Sequence, residues 1–314
     1  MTTTQAATEA AAAQTPGPGV EREFTVKARS QRQQIVRRFV RNKVGMTGLV
    51  VFLLLLAFGF LGPLVYGTSY STQNSGAQSV WPGVQGYPLG SDEIGRDLLA
   101  GLMIGVQRSL FIVLLFIVIA LPLGLLVGAL AGYFGRWVDS VLMRFVDLIL
   151  TVSLLVVLIV VASNFGEART PLGVGIILGL FGWLDLARIV RSQFLSLREK
   201  EYVEAAHALG ASNSRIIFKH LIPNALGSLI VWTTLAAATA IILEASLTYL
   251  GFGVNNPSST SLGRLVSDGV QAASTRPWLF YFPGITLLVI VLSSNLIGDG
   301  IRDAFDPSNR RVRA

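Results

Sequence analysis

Six stretches of the chain are apolar for long enough to cross a lipid bilayer as helices: residues 44–66, 109–132, 138–162, 172–190, 228–250 and 278–297. A crossing takes about 20 residues, because each adds about 1.5 Å of rise against a hydrocarbon core of about 30 Å. The fourth stretch carries Asp185 and Arg188 in its interior. Three apart on one helix, these charges can pair with each other, and Arg144 in the third stretch can pair with Asp147 or lie on the Ser140 side. Glu244, in the fifth, has no cation three or four residues away on its helix. A charge at mid-span costs on the order of 2.5 to 3.5 kcal/mol unless paired or wetted, so Glu244 is expected to face a partner, water or a bound solute.

The polar intervals carry their own patterns. In the interval 67–107, residues 70–86 read as irregular loop, and Ser91 is expected to cap a short surface helix with Asp92 and Glu93 in its first turn. The interval 251–277 opens with Gly251 and Gly253, passes Pro257, and then shows Leu262, Leu265, Val266 and Val270 at helical spacing, which predicts a shallow amphipathic helix outside the membrane. Between the fourth and fifth stretches, residues 199–209 are good helix formers stopped by Gly210. Ser212 is then placed to cap a second helix that Pro223 closes before the fifth span begins. On the first of these helices Ala205, Ala206 and Ala208 leave one flank nearly free of bulk. Tyr202 and Leu209 project apolar surface seven apart, and Glu204 adds an orienting charge. Such a helix can sink into a groove on another protein, or it can be a solvated amphipathic loop; the residue pattern alone leaves both open.

Composition agrees with the spans: 52% of the 314 residues are apolar and 14% charged, with a mean hydropathy of +0.60. The surplus charge, formally +7, lies in short segments flanking apolar runs, which points to membrane topology and away from nucleic acid. Arg22, Lys27, Arg29, Arg32, Arg37, Arg38, Arg41 and Lys43 precede the first span. Arg191, Arg198, Lys200, Arg215 and Lys219 separate the fourth from the fifth, and Arg302, Arg310, Arg311 and Arg313 follow the sixth. Both termini and residues 191–223 are therefore predicted to be cytoplasmic, which needs an even number of spans. Residues 1–37 read as a disordered tail with a basic end. The stretch up to about Gly19 lacks the features of a signal peptide, so the first span is expected to act as an uncleaved signal.

Catalytic chemistry finds little footing. The chain has no cysteine and two histidines, His207 and His220, with no carboxylates spaced for a metal and no nucleophile turn beside them. Lys27, Lys43, Lys200 and Lys219 each follow a residue other than glycine, so no Gly-Lys phosphate loop exists to bind ATP.

Several local sequences carry a resemblance. Glu204-Ala205-Ala206, Gly210 and Ile222-Pro223, placed after the fourth of six spans, resemble the cytoplasmic signature of bacterial ATP-binding-cassette (ABC) import permeases. Further stretches are similar to the second-type permease of dipeptide, oligopeptide and nickel importers: residues 90–97, residues 132–135 with Asp139, Met143, Arg144 and Asp147, residues 250–253, and residues 298–300 with Arg302, Asp303, Asp306 and Pro307. Two departures stand out. His220 replaces the usual Ile, as in the peptide-transport branch, and Thr151-Val152-Ser153 lacks a common Pro, so the sequence offers no ground for a matching kink in the third span.

The resemblance, which runs from about residue 38 to 307, implies an all-α, polytopic protein of the bacterial inner membrane, with six transmembrane helices in the type I ABC importer transmembrane-domain fold. It divides the chain into the tail 1–37, a first helix with its external loop at 38–107, a transmembrane domain at 108–300 with coupling helices at 199–223, and a C-terminal tail at 301–314. It implies a permease that forms half of a path for short peptides, with nickel or another small solute as alternatives; apart from the resemblance, an ion-driven carrier is the competing reading, which calls for inverted repeats that the chain does not show. The implied partners are a second homologous permease, two ATPase subunits that hold the ATP and Mg, an extracytoplasmic substrate-binding protein and membrane lipid. Tyr202, Glu204, Ala205, Ala206, Leu209 and Gly210 would contact an ATPase, and Glu244 would either line the path or pack against the other permease.

Overall fold

The computed structural model describes residues 31–165, 169–254 and 260–305. Residues 1–34 and 35–314 are separate units, and only the start of helix α1 (Gln31–Arg41) is described in the first. Of the tail predicted at 1–37, residues 1–30 lie outside the described residues, as do Pro257, Asp306, Pro307, Arg310, Arg311 and Arg313, whereas residues 31–37 are helical, within α1, and are not a disordered end.

Apolar composition and length produce the helices expected. α2 (Lys43–Tyr66) starts at Asn42, whose side chain accepts the Gly45 amide at 3.1 Å and donates to Asp303 Oδ2 at 2.9 Å. The long α3 (Leu98–Phe134) is followed by α4 (Arg136–Leu150) and α5 (Leu154–Asn164). Then come α6 (Pro171–Gly182) and α7 (Leu184–Arg198), which together make one span broken at Trp183. The short α8 (Glu201–Ala208) leads to α9 (Asn213–Ile216), which runs through a wide π turn at Ile217–Leu221 into α10 (Ile222–Tyr249). The last two are α11 (Leu262–Ala272) and α12 (Trp278–Phe305). Among the described residues, five helical runs are long and apolar enough to cross a membrane, and the bent α4–α5 pair makes a sixth if counted as one span.

α3 is the axis of the bundle, and glycines spaced by four let its neighbours approach. A Cβ on Gly124 would meet Leu186, one on Gly128 would lie 2.5 Å from the Ala187 carbonyl, and one on Gly132 would meet Phe194 and the Arg191 carbonyl. This is close small-residue helix packing, in which backbone approach replaces the hydrophobic effect that lipid cannot supply. α6 meets α3 in the same way at Gly175 and Gly179. α2 crosses α12 where Gly45 faces Gly300, and there a Cβ would come within 2.9 Å of the opposite Cα.

Four sequence expectations fail, each for a local physical reason. The α4–α5 pair is bent by 72° at residues 151–153 with no proline present. Thr151 Oγ1 donates to the Leu148 carbonyl at 2.6 Å, and a hydroxyl inserted into the helical ladder can break it as proline does. Ser91 caps no helix. Its hydroxyl accepts the Val80 amide at 2.8 Å and donates to the Ala77 carbonyl at 2.5 Å, pinning the loop, while Gly90 and Gly95 take positive φ of 84° and 76°. The helix begins instead at Asp97, whose Oδ1 accepts the Leu99 and Ala100 amides.

Pro223 does not separate a short helix from the fifth span. It sits in the first turn of α10, where its missing N–H is tolerated, and the π turn before it keeps the helix continuous from Asn213. Arg188 does not pair with Asp185; it bonds Asp147 on α4 at 2.6 Å, and Arg191 likewise pairs with Asp139. Asp185 and Arg144 are exposed. Antiparallel α4 and α7 bring opposite charges face to face, a through-space neighbour that spacing along one helix does not reveal.

Candidate functional site

At the end of the bundle where α7 finishes, a second apolar cluster gathers Ala129 of α3, Leu186, Val190 and Phe194 of α7, Val203 of α8, and Ile216, Leu221, Ala225 and Leu229 from the run 213–249. Val203 is the anchor of α8, at 1% exposure. Fixing that one face decides what the helix shows outward. Tyr202 is 42% exposed, Leu209 is 89% exposed, and Glu204, Ala205, His207 and Ala208 are exposed beside them, with Ala206 half-buried. Phe218, in the π turn, adds a further apolar side chain at 71% exposure. Together they form an apolar knob held by one valine.

Gly210 takes φ of +79°, and the chain closes α8 with its N–H on the His207 carbonyl at 2.9 Å and the Ala211 N–H on the Ala206 carbonyl at 3.0 Å. These two bonds are a Schellman cap, and the left-handed residue in it favours glycine. Ser212 stands at the N-cap position of α9 with extended backbone, but its side chain caps no amide; its Oγ lies 3.4 Å from Ser214 Oγ. A tie to α3 completes the segment: Tyr133 donates to Asn213 Oδ1 at 2.8 Å and lies 3.3 Å from His207 Nε2. His220 lies in the π turn, and Asn224 Nδ2 bonds its carbonyl at 2.6 Å. The knob therefore sits between two long helices, with α7 entering it and the run 213–249 leaving it.

Glu244 lies elsewhere. It is 1% exposed, inside the opposite half of the bundle, so it faces neither an open path nor water. Its Oε1 accepts from Ser261 Oγ at 2.6 Å and Thr248 Oγ1 at 3.0 Å, and its Oε2 from Ser109 Oγ at 3.4 Å. The partner is found inside the chain, in place of water or a solute: Thr248 one turn along the same helix and two hydroxyls from other elements, Ser109 and Ser261, converge on the carboxylate. Ser109 and Ser261 carry no signal in sequence that points to each other. The fourfold glycine spacing at 124, 128 and 132 did carry one, and it marks the α3 face on which α7 packs.

The loop at 67–97 folds over that opposite end. Trp81 packs on Trp278 with ring centres 4.5 Å apart, Arg276 pairs with Glu93 at 2.9 Å, and the Arg96 guanidinium lies 5.2 Å over the Tyr70 ring. A pocket of about 430 Å³ opens between this loop and α11, lined by Tyr70, Asp92, Arg96, Arg264 and Asp268 among others. Burial pushes the Tyr70 hydroxyl up. It also pushes the Asp92 carboxyl up, although the Arg96 and Ile94 amides hydrogen-bond the carboxylate. Among the described residues no group of three or more His, Asp or Glu side chains could hold a metal ion.

A helical membrane bundle that carries an exposed apolar knob on two of its spans has the architecture of a transport permease. Residues 124–311 match the family described as binding-protein-dependent transport system inner membrane component, and residues 30–82 match the N-terminal transmembrane domain of oligopeptide transport permease C. The chain belongs to the first of these families. It is 38% identical over 284 residues to the oligopeptide transport system permease protein OppC of Mycobacterium bovis, covering 90% of this chain and 97% of that one. It is also 38% identical over 286 residues to OppC of Escherichia coli K12, covering 91% and 94%, and 33% identical over 293 residues to the dipeptide permease DppC of Alkalihalophilus pseudofirmus, covering 92% and 93%. An inward-facing structure of the MetNI methionine ABC transporter aligns over 67% of this chain and 96% of its own, with a TM-score of 0.50 at 20% identity, a likeness of fold.

Proposed function

We propose that the chain is one of two permease subunits of an ATP-driven importer of short peptides and that α8 with the turn at Gly210 docks on an ATPase subunit. The observation that carries this reading is the knob itself: Tyr202, Leu209 and Phe218 expose apolar surface beside a flat alanine flank. That surface is attached without a flexible linker to α7 and to the run 213–249. A rigid, apolar projection of this kind suits a groove on a partner, and movement of the partner would tilt both attached spans.

The remaining roles follow. The basic flanks support an orientation with both termini and the knob on the cytoplasmic side and the loop 67–97 outside. With no Gly-Lys phosphate loop in the chain, ATP and Mg belong to two separate ATPase subunits, and this subunit does no covalent chemistry. Exposed apolar faces on α2 and α4, including Leu64, Val65, Phe145 and Leu148, suit lipid and a second, homologous permease. A binding protein would deliver substrate at the outer face. The similarity to oligopeptide and dipeptide permeases favours peptides over nickel or another solute.

Uptake of labelled di- and oligopeptides, measured together with ATP hydrolysis in the assembled transporter, tests the reading. Substituting Glu204 or Gly210 should lower uptake while membrane insertion and hydrolysis persist. Normal coupled uptake in both variants, or cross-links that place residues 201–210 on the outer face, would overturn it.

A further inference from the structure

Glu244 sits in a setting that its expected roles do not explain. It lies on α10, the same continuous helical run that begins in the coupling segment at Asn213. Its carboxylate meets the first turn of α11 through two hydroxyl relays. Ser261, the N-cap of α11, accepts the Arg264 amide at 3.2 Å and donates to Oε1. Ser109 of α3 accepts the Leu262 amide at 3.3 Å and donates to Oε2. Each relay thus passes the partial positive charge of the α11 N-terminus to the carboxylate, which answers how this group is held with hydroxyl partners in place of a Lys or Arg.

The surrounding backbone is shaped for this contact. A Cβ on Gly263 of α11 would lie 2.6 Å from the Ala245 Cα and 3.2 Å from Glu244 Oε1. A Cβ on Gly105 of α3 would lie 3.2 Å from the Leu262 amide, and one on Gly253 would strike Thr248. Close approach of three elements at one buried carboxylate makes a joint and leaves no room for a solute.

We propose that Glu244 is a positioning residue that locks the outer helix α11 to the α10 run and to α3, so that the outer surface moves as one body with the helix driven from the knob. The joint itself is independent of the proposed function; its use in transport rests on that reading.

The absence of cysteine allows spin labels to be placed cleanly at Gln271→Cys on α11 and Tyr249→Cys at the end of α10, both exposed positions. In the assembled transporter without nucleotide, the parent should give a narrow distance distribution. Glu244→Ala should widen it roughly two-fold, because both relays lose their acceptor, and Glu244→Gln, which keeps an acceptor for Ser261, should hold the parent width. A parent-like width in an assembled Ala variant, or a Gln variant as wide as Ala, overturns the joint. If the Ala variant does not assemble, Ser261→Ala removes the shortest of the three bonds and should widen the distribution, whereas a parent-like width overturns the proposal. Nucleotide is left out of this measurement, so the joint is read independently of the ATPase-docking reading, whose failure would appear separately as normal coupled uptake in the Glu204 and Gly210 variants.

Discussion

The two ends of this bundle handle polar and apolar groups in opposite ways. At the knob, Leu209 is 89% exposed and Phe218 71% exposed, and Val203 at 1% is the one fully buried side chain of α8. At the other end Trp81 is packed on Trp278, Arg276 is paired with Glu93, and a fully buried carboxylate has three hydroxyl donors. One end leaves apolar surface for something else to cover; the other pairs most of its charged groups within the chain, although Arg96 Nε and Trp278 Nε1 are buried there without a hydrogen-bond partner. Large side chains left bare beside a tightly capped glycine are what the proposed docking surface requires.

The largest effect that would break this contrast lies between the ends, on α3. Gly128→Leu would push a side chain into the Ala187 carbonyl and Val190, where a Cβ already comes to 2.5 Å. Overpacking of that kind costs about 3 kcal/mol or more, so folded protein recovered in detergent should fall sharply by size-exclusion chromatography. Val203→Ala comes next. It empties part of the cluster that anchors α8 and should cost about 2 kcal/mol. Amide exchange should then rise about 30-fold in residues 201–209, while α3 keeps its protection.

Leu209→Ala separates adhesion from stability. An exposed side chain contributes within about 0.5 kcal/mol to folding, so thermal unfolding should not move, yet uptake coupled to ATP hydrolysis should drop. Unchanged uptake would mean that the knob touches nothing through this residue.

The smallest effect sharpens the contrast at the end covered by the loop 67–97. Burial raises the Asp92 carboxyl above its ordinary range, so the folded loop holds a proton more tightly than the unfolded chain does. Its contribution is fully present below the ordinary carboxylate pKa and is lost as pH rises through the raised value. Protection of amides in residues 74–97 should therefore decline modestly as pH rises across that window, after correction for intrinsic exchange. Asp92→Asn, whose side-chain oxygen can still accept the Ile94 and Arg96 amides, should flatten the dependence.

Much of the molecule was legible beforehand because its signals are local. An apolar run of about 20 residues declares a span whatever it packs against, which is why residues 278–297 are found within Trp278–Phe305. Gly210 announced a helix end because few other residues take φ of +79° without strain, and Ser261 precedes a helix whose apolar spacing was plain. The bend at 151–153 escaped notice because a threonine hydroxyl did the work usually read from proline.

By itself the sequence determined the rough position of the apolar spans, the exposed helix after the fourth, and the absence of a Gly-Lys nucleotide loop. Each of these depends on side chains within a few turns of one another. Only the tertiary structure decided which groups meet: Arg188 with Asp147 across 41 residues, and Glu244 with Ser109 across 135. A charge in a membrane span must find a partner, but which one it finds depends on how helices distant in the chain cross, and spacing along a single helix carries no record of that crossing.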